Sequence, residues 1–162
     1  MAFSEADAEM ADAHAAQSRA RQLIGSGDYS GAIEAAQHCI EHAIKSMFRL
    51  VQLEPPRTHE AVLDRKGQDA FVHVVRRLNF PEGYEYNRQQ FLRLRWIAPM
   101  WSWANNTAVY GYEGIPAVTF FDKGDADLAM KFADEVMNSV SLVLVSCRNG
   151  DIKIGKIASR HS

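Results

Sequence analysis

Apolar residues recur at steps of three and four through five stretches of the chain, the repeat of a helix that buries one face. The first stretch, about Glu5 to Ile24, is dominated by alanine, which favours helix but gives a weak apolar face. "GSGD" (Gly25 to Asp28) closes it, glycine being the natural helix stop. The second, about Ser30 to Leu53, carries Ile33, Ala36, Ile40, Ala43, Ile44, Met47, Phe48 and Val51 on one stripe. "EPP" (Glu54 to Pro56) ends it, because proline cannot continue the hydrogen-bond ladder. A third helix is expected to start near Thr58 as N-cap, without a capping box because Ala61 holds the third helical position. Val62, Ala70, Phe71, Val74, Val75 and Leu78 are its apolar positions, Gly67 weakens it, and "NFPEG" breaks it. The fourth, about Glu85 to Asn105, has Phe91, Leu94, Ile97, Ala98 and Trp101 on its stripe, with a kink expected at Pro99. The fifth starts near Gly124 or Asp125 and carries Ala126, Ala129, Phe132, Ala133, Val136, Met137 and Val140.

The end of the chain, "LVLVSCRNGDIKIG", fits either two short strands around an Asn149-Gly150 turn or a helix reaching about Val145 followed by a loose tail. We read the latter, since a lone two-stranded ribbon is marginal. The pattern therefore predicts an all-α fold, an antiparallel bundle of about five helices over residues 1–148, with a C-terminal tail at 149–162. The second and fifth helices have the strongest stripes and are placed at its centre.

Composition narrows the picture further. A chain of 162 residues that is 47% hydrophobic fits one packed domain. A net charge of −2 with no basic block gives no footprint for duplex DNA. Cys39 and Cys147 form no CxxC and no disulfide framework. That usage, with an acidic N-terminus instead of a leader, predicts a cytoplasmic protein. The longest apolar run, Val140 to Val145, is far too short to span a bilayer.

Candidate chemistry is sparse. His38 and His42 stand four apart on one helical face and can share a metal, but no second ligand pair is apparent, so no metal site is expected. His59 has no identifiable nucleophile or carboxylate partner, and His14 and His73 carry no motif. Cys39 reads as a small buried thiol. The run "RQQFLRLRW" (Arg88 to Trp96) interleaves Arg88, Arg93 and Arg95 with aromatics, a pattern that suits single-stranded RNA. Its simpler reading has Phe91 and Leu94 facing the core and the arginines in water.

Two stretches resemble the HEPN domain family. "GDYSGAIEAAQHCIEHAIKSMFRLVQLEPPRTHEAVL" (Gly27 to Leu63) is similar to its front half, through Asp28-Tyr29, Gln37, Glu41 with Lys45 four residues on, Pro55-Pro56 and Thr58-His59. His42 stands where the family usually has a basic residue after the Glu. "YGYEGIPAVTFFDKGDADLAMKFADEVMNSV" (Tyr110 to Val140) is similar to its closing segment. The family implies the same helical bundle, and commonly a homodimer that joins the motif-bearing helices at the two-fold axis.

The resemblance also implies a position for ribonuclease chemistry. RNA-cleaving members carry an Arg and, four to six residues on, a His, which stabilise the developing charge and move the 2′-hydroxyl proton. The corresponding stretch here is "NNTAVY", with Asn105 in place of the Arg and Tyr110 in place of the His. Asn has no charge, and a phenol is a poor base at neutral pH. No catalytic residue and no cofactor is therefore expected. The candidate ligand-binding set is Arg93, Arg95, Trp101, Asn105, Asn106, Tyr110 and Tyr112, rings and amides suited to a nucleotide base. The expected role is binding of a nucleotide, RNA or a partner protein, as a homodimer. Family relatives often work beside a nucleotidyltransferase in toxin–antitoxin systems, and such a partner would be a separate protein. One alternative is a divergent metal-independent ribonuclease using Arg93 or Arg95 with Tyr110 or Tyr112. Another is a helical-repeat scaffold, which needs its pattern again about 34 residues on, and "RTHEAVLDRKGQDAF" does not supply it.

Overall fold

In the computed structural model, residues 2–55 and 65–155 are described, with side chains throughout except at positions 65–68, 96, 98–99 and 101–103. Five long helices form the body: α1 (Ala2–Ser26), α2 (Tyr29–Leu50), α3 (Arg65–Arg77), α4 (Glu85–Tyr110) and α6 (Lys123–Asn149). A single turn, α5 (Ala117–Phe120), and two short strands, β1 (Leu78–Asn79) and β2 (Lys153–Ile154), complete the described elements. The predicted all-α bundle is the observed fold. The start of the third helix at Thr58, with His59 and Val62, lies outside the described residues. The fourth helix runs unbroken through position 99 and reaches Tyr110, five residues beyond its expected end.

α2 is the hub. It packs against α1, α3, α4, α5 and α6, and residues on nearly every side of it are buried. Its apolar stripe alone would make a one-sided helix. Ala32, Ala35 and Cys39 widen it with small buried side chains, and α1 contributes buried Ala6, Ala13 and Ala20. Small residues on both helices let the backbones approach closely, which is how alanine-rich α1 docks with little apolar bulk. The Gly27-Asp28 link is too short for anything but an antiparallel neighbour. α6 also runs antiparallel to α1: Arg148 pairs with Asp7 at one end, and Gln17 and Arg21 bind Asp134 at 2.6 and 2.8 Å further along. At the C-terminal end of α2, Phe48, Phe71 and Phe91 meet in series as tilted rings, at centroid separations of 6.3 and 5.2 Å, and lock α2, α3 and α4 together.

Three helices end in the same device. In a Schellman ending the chain turns through a left-handed residue, and two amides cap the last carbonyls. Gly27 (φ 81°) closes α1 and Gly150 (φ 82°) closes α6. α2 closes through Gln52 (φ 57°), with its N–H on the Arg49 carbonyl and the Leu53 N–H on that of Phe48. The turn therefore precedes the prolines expected to stop this helix.

The C-terminal segment corrects the sequence reading. α6 continues to Asn149, four residues past Val145, because Gly150 and not the end of the apolar run stops it. Residues after it are not loose as far as position 155. Ile152 is buried, and Leu78 and Asn79 pair antiparallel with Ile154 and Lys153. The strand finds its partner in Leu78–Asn79, far back along the chain, instead of across the Asn149-Gly150 turn.

Candidate functional site

The stretch from Asn105 to Phe121 is built around glycines. Gly111 ends α4 at φ 74°, and a Cβ there would lie 2.2 Å from the Ile115 carbonyl oxygen, so only glycine fits. Tyr112 and Ile115 exchange backbone hydrogen bonds of 3.1 and 2.8 Å across Glu113 (φ 47°) and Gly114 (φ 82°). Two successive residues with positive φ make a type I′ turn, whose twist suits a tight reversal. Pro116 then opens α5, and Phe120 stacks edge-on between Tyr112 and Phe121 at 6.0 and 5.0 Å.

This reversal displays apolar bulk. Tyr110 is 84% and Val118 78% exposed, and Val109, Tyr112 and Ile115 are also exposed. Five large apolar side chains within ten residues form a rim at the end of α4. Exposed apolar side chains gathered in one short stretch mark an interaction surface more often than isolated ones do.

The structure does not bring the seven candidate residues to one point. Asn105 and Tyr110 share an unbroken helix, and five residues of helix turn about 140° around the axis. Asn105 is half-buried at the edge of the face carrying Ala104, Thr107 and Ala108. Its Oδ1 is buried with no hydrogen-bond partner among the described residues. Asn106 and Tyr110, one turn apart, face outward. Trp101 lies on α4, but its side chain is outside the described residues. Phe91 and Leu94 are buried, and Arg88 and Arg93 are exposed. Arg95 is half-buried.

Arg93 belongs to a different place. It is exposed, donates to Gln90 Oε1 at 3.0 Å, and lines a groove of about 420 Å³ between α4 and α6. Tyr86, Asn87 and Gln90 come from α4, and Glu135, Asn138 and Ser139 from α6. The groove thus offers a ring, three amides, one hydroxyl, one cation and one carboxylate. That set can stack on a base, read its edge and hold one phosphate. The groove residues other than Arg93 were not singled out from the sequence. The signal was present, since Tyr86, Gln90 and Arg93 recur at i, i+4 and i+7 and form a polar stripe beside the buried Leu94.

Of the front-half positions, Asp28, Gln37, Glu41, His42 and Lys45 belong to the packed bundle, and Pro56, Thr58 and His59 lie outside the described residues. Asp28 caps α2 by accepting the Gly31 N–H at 2.9 Å. Glu41, 4% exposed, is ion-paired with Lys45, so the acid and its base four residues on neutralise each other inside the bundle. Gln37 is buried, with an Oε1 that has no partner among the described residues. His42 sits at the α1 seam, its Nδ1 2.8 Å from Glu9 Oε2. Burial pushes the Cys39 thiol up to about 12, with Asp134 adding to the shift and Arg21 opposing it. Burial likewise raises Cys147 to about 11. Both thiols are held protonated and unreactive at neutral pH.

No helix among the described residues is long and apolar enough to cross a membrane. The sequence profile of the HEPN domain matches residues 10–143. No curated protein and no solved structure matches the chain at a significant level.

Proposed function

The chain belongs to the HEPN domain family, and from that membership we propose a binding role without catalysis: a homodimer that holds a nucleotide or a short stretch of RNA. The observation that carries this reading is the α4/α6 groove, where Arg93 stands among Tyr86, Asn87, Gln90 and Asn138. Arg93 binds phosphate, Tyr86 stacks on a base, and the amides and Glu135 read its polar edge. The stretch from position 65 to 95 holds seven basic and three acidic residues, although the whole chain is mildly acidic. The rim of Tyr110, Tyr112, Ile115 and Val118 is the surface through which two copies pair. Cleavage is not part of the role, because Asn105 and Tyr110 supply neither a charge for the phosphorane nor a base at neutral pH.

Light scattering combined with thermal melting in the presence of nucleotides and short RNAs tests the proposal. We expect the mass of two chains and a melting temperature that rises with ligand, since binding to the folded state alone must stabilise it. Arg93→Ala removes the ligand-induced rise and leaves the unliganded melt unchanged, because Arg93 is exposed. A dimer indifferent to every nucleotide and RNA contradicts the ligand and points to a protein partner, such as a separate nucleotidyltransferase. A monomer contradicts the paired rim.

A further inference from the structure

We propose that Glu9, Asp12 and His42 form a site for a divalent first-row transition metal of the Zn²⁺ type on the seam between α1 and α2. The His38/His42 spacing lacks a second ligand pair only when the sequence is read locally. In the fold, α1 lies along α2 and supplies Glu9 and Asp12, three residues apart and therefore on one helical face. One donor atom from each of Glu9, Asp12 and His42 lies within 4.8 Å of the other two. Bonds of about 2.0–2.2 Å to a common ion place donor atoms roughly 3–4.4 Å apart, so small side-chain rotations close the set.

The surroundings favour a bound ion over three loose surface groups. The side chains of His42 and Glu9 are only 31% and 18% exposed, so helix packing fixes them before any metal arrives. Asp12 is exposed and leaves one side open for water to complete the coordination shell. A cleft of about 280 Å³ lies over the site, lined by Asp12, His38 and His42 among others. Two cations oppose the ion. Arg19 lines the same cleft, and Arg49 approaches Glu9 Oε1 at 3.8 Å. Arg49 also has Glu54 at 3.2 Å and can keep that partner when Glu9 turns to a metal. His42 would coordinate through Nδ1 as neutral imidazole, with its proton on Nε2. An imidazole with two carboxylates suits Zn²⁺, Co²⁺ or Mn²⁺, and the nitrogen donor disfavours Mg²⁺ and Ca²⁺. A bound ion would pin α1, whose alanine face contributes little apolar area, onto the hub helix.

Isothermal titration of the full chain with ZnCl₂, with MgCl₂ alongside, reads the site, and thermal melts report the stabilisation. We expect one equivalent of Zn²⁺ per chain, a raised melting temperature, and no response to Mg²⁺. His42→Ala should abolish binding. Because losing the His42–Glu9 contact also weakens the seam, Asp12→Asn, at an exposed side chain, serves as the second variant and should weaken Zn²⁺ at least about tenfold. His73→Ala, an exposed histidine elsewhere, should leave binding unchanged. Absence of stoichiometric Zn²⁺ binding, or equal binding by Asp12→Asn and the unaltered chain, would overturn the site.

Discussion

Glu41 and Lys45 show how a family-like pair acts as a single residue-scale unit. A carboxylate that is 4% exposed persists because an ammonium four residues on neutralises it. Removing Lys45 takes the neutralising charge from a buried carboxylate, which is costly, whereas an apolar pair of similar shape is nearly neutral. We predict that Lys45→Ala destabilises the fold by about 3 kcal/mol in urea unfolding, and that Glu41→Leu with Lys45→Met recovers most of it. The buried thiols give a second residue-scale prediction. Each is raised in the folded state, from 9.0 to about 12 for Cys39 and to about 11 for Cys147. The folded state therefore holds protons that the unfolded chain gives up. Their contribution is complete below about pH 9 and is lost as pH climbs through the folded values. Unfolding followed between about pH 8 and pH 11 should show stability falling on the alkaline side, with a shallower fall in Cys39→Ala.

At the scale of elements, the helix ends carry the next test. Gln52 adopts the left-handed conformation in the turn that closes α2, where a Cβ is unfavourable by about 1 kcal/mol. Gln52→Gly is expected to raise stability by about that amount, an unusual sign for a glycine substitution. At the start of α6, Asp122 accepts the Asp125 N–H and Asp125 accepts the Asp122 N–H, both at 3.0 Å. Asp122→Ala should cost about 1 kcal/mol. Both values are read from denaturant midpoints. These ends also mark what the sequence could not disclose. The stripes of α2 and α6 were legible because burial imposes a 3.6-residue period on them. The glycine stop of α1 was legible because Gly27 is needed locally. The left-handed Gln52 has no glycine to announce it, and the pairing of Lys153–Ile154 with Leu78–Asn79 and the meeting of Glu9 with His42 depend on contacts between distant segments, which no local pattern encodes. The candidate site was half legible for the same reason. Arg93 was found from its own helix, and its partners on α6 were not.

For the whole molecule, the chain combines a rigid hub with two surfaces at its margins. α2 is wrapped by α1, α3, α4 and α6, and it carries the packing that lets α4 present different faces to different tasks. One face of α4 forms the groove with α6, and its C-terminal end forms the apolar rim. Dividing the roles this way explains why the seven candidate residues do not converge. A two-fold axis at the rim would set the grooves of two copies on one assembly, so a single RNA strand could engage both. Because phosphate contacts release counterions, that binding should weaken as salt rises. The most direct test is to incubate labelled single-stranded RNA with the protein, then run it on a native gel and, after deproteinisation, on a denaturing gel. We expect a retarded complex, lost in Arg93→Ala, from which the RNA is recovered at full length. A shortened strand whose appearance depends on Tyr110, or free RNA at every protein concentration, would contradict it.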